Sequence, residues 1–185
     1  MIYNWKKIVR HGIPLLTLCV FIEIFAGQIL QSQQETLIKL SIFLISIPVI
    51  NGVGGNIGSV LGARLASGLH VGYISIDLKD KKMQESLFTS ISIGIALYFV
   101  LAVIIYLVSS FINRQVGISP MKFISIVLGA GVLLVCVISF VSVFTAFWSF
   151  KMGLDPDDTV APVVTTVGDT LGITFLFLLI GVVGI

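Results

Sequence analysis

The sequence predicts an all-α integral membrane protein with five transmembrane helices per protomer. Two observations carry that prediction. Mean hydropathy is +1.11. Only 11% of the residues are charged, about half the share of a soluble domain. The apolar residues gather into five runs, and none alternates as a barrel strand would. The 185 residues fit a single membrane domain spanning 1–185. A net charge of +2 gives no case for a nucleic-acid partner.

The first run, Ile13–Leu30, follows Lys6, Lys7 and Arg10 and has the look of a signal peptide. Glu23 within the run and the lack of a small-x-small cleavage site favour a retained span. Glu23 either bonds to a neighbouring helix or belongs to a proton or cation path. The second run, Leu40–Leu65, is rich in glycine. Gly54, Gly58 and Gly62 form a small-residue ridge that lets another helix approach closely. That packing is the default reading; Asn51, Asn56 and Ser59 add polar groups, and five glycines between Gly52 and Gly62 open the alternative of a helix that breaks towards a cavity. The third and fourth runs, Leu87–Phe111 and Phe123–Phe150, carry scattered serines and glycines that suit helix packing. Cys19 and Cys136 lie in apolar runs and read as packing residues. His11 and His70 sit at membrane edges and form no metal-ligand cluster.

The fifth run, Val160–Ile185, holds a lone carboxylate, Asp169. A charge at that depth costs at least ~2.5–3.5 kcal/mol, so it faces a cavity, a partner or a cation rather than lipid. Thr165, Thr166 and Gly172 fall near the same helical face. Asp155 is a good N-cap, Pro156 suits the first helical position, and Asp157 and Asp158 favour the positive helix end. The same acidic cluster would add negative charge at a pore mouth. Pro162 leaves the carbonyl of Asp158 without its usual donor.

Five spans put the termini on opposite sides. The N-terminal side then holds eight basic residues and the other side three, Lys39, Arg114 and Lys122. The positive-inside rule places the N-terminus in the cytoplasm and the C-terminus outside a multi-pass cell-membrane protein. The chain has no Ser/His/Asp set and no second carboxylate within two turns of Asp169, which argues against an enzyme. A cation transporter and a non-transporting subunit that anchors a complex remain.

Two motifs add a resemblance. One is P-x4-GGN-x-G followed by R-L, here Pro48, Gly54, Gly55, Asn56, Gly58, Arg64 and Leu65. The other is DP-x5-P-x2-TT-x2-D, here Asp155, Pro156, Pro162, Thr165, Thr166 and Asp169. The chain resembles the membrane domain of the MgtE family of magnesium transporters, nearer the archaeal and eukaryotic solute-carrier branch. The bacterial pattern differs at Ala161, where Asn is usual, and at Val60, where Gln is usual. The resemblance implies a parallel homodimer, or a pairing with a similar half-size chain. Its pore would run along the two-fold axis between the second and fifth spans, and no cytoplasmic sensor domain is expected. It implies that Asp169 of each protomer holds a hydrated Mg²⁺, the transported ion. Gly55, Asn56, Ser59, Pro162, Thr165, Thr166 and Glu23 would lie on the ion path, with Asp155 and Asp158 at its mouth. Two Asp169 side chains across an axis supply a charge of −2, which suits an ion that keeps its water.

Overall fold

The computed structural model describes residues 5–112 and 117–184. Arg114, one of the three basic residues assigned to the outer side, lies outside them, as does Ile185. The described residues form six α-helices and no strand. These are α1 (Trp5–Ser32), α2 (Gln34–Lys39), α3 (Ile42–Val71), α4 (Lys81–Ile112), α5 (Pro120–Lys151) and α6 (Pro156–Val183). All but α2 are long and apolar enough to cross a membrane, which gives five candidate spans among the described residues.

Each helix runs past its apolar stretch, because the terminal turns are fixed by polar and special-geometry residues. Ser119 is extended and Pro120 opens α5. Asp155 caps α6, its carboxylate accepting from the Asp157 N–H at 3.1 Å. Gly72, with φ +73°, ends α3 in the left-handed conformation. α2 fills the link between the first two spans, where the sequence suggests only a short connection.

The second span does not break. α3 is one continuous helix through all its glycines. In a bilayer an unpaired backbone group has no water to turn to, so the helix persists where neighbours hold it. Those neighbours are α5 and α6. A Cβ at Gly54 would strike Leu134, one at Gly58 would strike Ile138 and Val164, and one at Gly62 would strike Val160. The ridge is therefore buried within the protomer and offers no surface to a second copy.

Helices α3, α4, α5 and α6 make the bundle, with α3 and α5 each touching the other three. α1 packs against α6. The core joins Leu61, Leu65, Leu134, Ile138, Val164 and Leu176, all fully or almost fully buried. Polar side chains tie the helices through spare backbone acceptors. Tyr98 donates to the Ile50 carbonyl at 2.8 Å, and Ser142 donates to that of Gly58 at 2.8 Å. Ser149 and Thr159 share a buried hydroxyl–hydroxyl bond of 2.7 Å. Such bonds cost little desolvation in lipid and fix helix register.

Candidate ion site

Asp169 lies half-buried midway along α6. It is held from α3. The Asn51 carboxamide donates to the Asp169 backbone carbonyl at 3.2 Å. Asn51 can reach α6 because residue 172 is glycine; a Cβ there would occupy the position of Asn51 Oδ1. That oxygen is buried and accepts no hydrogen bond.

A third element borders the site, which stays open, with Glu23 exposed. Thr166, almost fully buried, donates to Oε1 of Glu23 on α1 at 3.3 Å. Glu23, Asn51 and Asp169 line one cavity of about 470 Å³ between α1, α3 and α6, with Pro48 and Gly52 in its wall. Among the described residues the only ion pair is His70 with Asp155, so neither carboxylate in the cavity is neutralised by a basic side chain of those residues.

The remaining predicted residues fall around this centre. Gly55 is buried beside Thr165, whose methyl would lie 3.1 Å from a Cβ at that glycine. Thr165 is exposed and donates to the carbonyls of Ala161 and Pro162 at 2.9 and 3.1 Å. Pro162 also accepts from the Cys19 thiol at 3.7 Å. Asn56 is exposed and Ser59 half-buried. Gly52, Asn56, Ser59 and Ala63 follow at helical spacing along one side of α3. Asp158, Pro162, Thr165 and Asp169 do the same on α6. A strip of small and polar groups thus runs along the outside of the α3–α6 seam.

At the start of α6, Asp155 lies 3.5 Å from His70 Nε2, and the His70 ring meets Phe150 edge-on at 5.4 Å. Asp158 is exposed beside them. Asn51, which the sequence marks only as a polar group at membrane depth, bonds to the Asp169 carbonyl. Glu23, left between two roles in the sequence, is both bonded to a neighbouring helix and in the same cavity as Asp169. The signal for Asn51 was Gly172, one turn beyond Asp169, which leaves room for a long side chain from the facing helix.

Both sequence motifs, the last four of the five spans and this seam fall largely within residues 47–179, which match the family model for MgtE, described as a divalent cation transporter. The chain belongs to the MgtE family. It is similar to mouse solute carrier family 41 member 3, with 28% identity over 93% of this chain and 38% of the relative. The rat member 3 matches at 26% identity over 93% of this chain and 40% of its own length. Chicken solute carrier family 41 member 2 matches at 27% identity over 70% of this chain and 24% of its own. The chain therefore spans well under half the length of the curated relatives it matches. Within this MgtE domain, the two positions that depart from the bacterial pattern flank the strip. Ala161 is half-buried and contributes only its carbonyl to Thr165, and Val60 is exposed.

Proposed function

We propose that this chain carries Mg²⁺ across the cell membrane as a parallel homodimer, with Asp169 of each protomer contacting the hydrated ion. The observation that supports it most is Asp169 itself. It is a carboxylate near the middle of an apolar helix, without a basic partner among the described residues, at the edge of a polar seam. A charge kept at such depth against its insertion cost is a functional group by default, and its natural counter-charge is a cation. Oxygen donors and water suit Mg²⁺, which sheds its hydration shell reluctantly. The ion path follows the strip of Gly55, Asn56, Ser59, Pro162 and Thr165, with Asp155 and Asp158 at the cytoplasmic mouth. The N-terminus is cytoplasmic and the C-terminus outside, as the distribution of Lys and Arg suggests.

The test is Mg²⁺ uptake into liposomes by wild type and Asp169→Asn at matched incorporation. Asparagine nearly preserves shape and leaves the backbone bond from Asn51 intact. Uptake should fall at least ~10-fold, the scale on which loss of a group near a metal is felt. Undiminished uptake by Asp169→Asn would remove the ion from this site. A variant that folds and transports normally but fails to assemble with another protein would instead support an anchoring role.

A further inference from the structure

The connection between α3 and α4 and the C-terminal half of α5 leave an open groove of about 470 Å³ between them. We propose that this groove seats an acyl chain of an anionic phospholipid, with Lys151 holding the lipid phosphate. The groove shares no residue with the proposed ion path, so the inference goes beyond transport and stands apart from it.

Three observations carry it. The first is the way the walls are made. Phe140, Phe144, Trp148 and Lys151 follow at helical spacing along one face of α5, and all four are exposed. Val143 and Phe147, almost fully buried, form the floor between them. Opposite stand Ile76 and Leu78, apolar side chains exposed on a loop. That loop is not free to fold them away. Asp77 accepts from the Lys79 N–H at 2.9 Å, and Asp80 accepts from the Ser75 N–H at 2.9 Å. The Gln84 carboxamide donates to the Leu78 carbonyl at 3.0 Å. Apolar side chains held out in this way gain by meeting hydrocarbon rather than water.

The second observation is length. From Phe140 to Lys151, α5 rises about 16 Å at 1.5 Å per residue. Half of a hydrocarbon core of about 30 Å is about 15 Å, the depth of one leaflet. Polarity changes in the right order along that length. Phenylalanine rings lie deepest, Trp148 comes next, as suits the headgroup level, and an ammonium group stands at the end. The third observation is charge. Lys151 makes no ion pair among the described residues, and neither do Lys79 and Lys81 on the neighbouring segment. The loop carboxylates do not compete, since Asp77 and Asp80 are turned to backbone N–H groups. A zwitterionic headgroup would bring its own cation to Lys151, whereas an anionic one brings only the counter-charge. This end of α5 is cytoplasmic in the proposed orientation, the side on which anionic lipid draws basic segments.

The experiment reads Trp148 fluorescence in the full chain, with Trp5, the only other tryptophan, replaced by phenylalanine. The protein is placed in bilayers that contain a small fraction of brominated lipid, which quenches on contact. Brominated phosphatidylglycerol should bind about 5-fold more tightly than brominated phosphatidylcholine, the scale set by one basic side chain at a membrane surface. Lys151→Gln should remove that preference. Lys122→Gln, at the opposite end of α5, should keep it. Leu78→Ser should reduce it by opening the wall. All three side chains are exposed, so the bundle should fold. Excess inorganic phosphate, which has no chain to seat, should not relieve the quenching. Equal binding of the two lipids by the wild-type groove means an ordinary lipid annulus and overturns the inference. A preference that survives Lys151→Gln, or falls as far in Lys122→Gln, reflects general attraction to basic residues and also overturns it. Relief by phosphate would make this a site for a free anion, and an unchanged preference in Leu78→Ser would take the chain out of the groove; either result sinks the proposal.

Discussion

Gly172 shows how one missing methyl group can build a site. Asn51 extends from α3 to bond the Asp169 carbonyl, and its Oδ1 lies where a Cβ at position 172 would stand. Gly172→Ala forces that carboxamide aside. Overpacking of this kind costs roughly 1–3 kcal/mol, more than the ~1 kcal/mol that alanine returns in helix propensity. The melting temperature in detergent should drop. Gly181, on the same helix, has nothing within 4 Å of a Cβ. Gly181→Ala should therefore be neutral or slightly stabilising. The penalty at 172 should shrink in an Asn51→Ala background, since the colliding group is gone. An equal drop in both backgrounds would mean that Asn51 is not what glycine accommodates. The carboxylate itself was legible in the sequence because a charge inside an apolar run is rare. Its partner was not. Asn51 and Asn56 look alike on paper, and only the rotation of α3 decides which one meets α6.

The helices were legible for the same reason, since length and hydropathy mark a span whatever it packs against. Their ends were not, because polar residues beyond the hydrocarbon layer continue a helix without adding hydropathy. The start of α4 is a case. Asp80 accepts from the backbone N–H of Lys82 at 2.8 Å and of Met83 at 3.2 Å. Its other oxygen accepts from the Ser75 N–H at 2.9 Å and hydroxyl at 2.7 Å. The Ser75 N–H, then its hydroxyl, then the Met83 and Lys82 N–H groups hold the Asp80 carboxyl well below the usual carboxylate range. The folded state thus prefers the ionised form. The resulting stabilisation is fully present above the unfolded value of about 4 and is lost as pH falls through the lower folded value. Asp80→Asn should lower the melting temperature by a few degrees near neutral pH, and the gap to wild type should close as the medium is acidified below ~4. A gap that widens on acidification would contradict the capping role. The glycine-rich stretch of α3 misled in the other direction. Its composition leaves a break open, but α5 and α6 fill the space beside Gly54, Gly55, Gly58 and Gly62, and the helix stays whole.

At the scale of the whole molecule, what matters is which polar surface remains uncovered. The glycine ridge, which in the sequence offers close approach to another helix, is spent inside the protomer on Leu134, Ile138, Val160 and Val164. The strip along the α3–α6 seam is not: Gly52, Asn56 and Thr165 are exposed, and Asp169 is half-exposed at its edge. Carboxamide, hydroxyl and carboxylate groups at membrane depth are too costly to leave against lipid. The exposed faces of α4 and α5 differ in kind, presenting Phe99, Leu107, Phe140 and Phe144, which lipid accommodates. A second copy that brings its own strip to the first would enclose a polar path and leave the apolar faces outward. The expectation can be checked by disulfide trapping in a background with Cys19 and Cys136 replaced by alanine. Asn56→Cys on the strip should give a covalent dimer under mild oxidation in membranes. Phe99→Cys on the lipid-facing side of α4 should give little. The opposite pattern would place the subunit contact on the apolar faces and leave the strip to another partner.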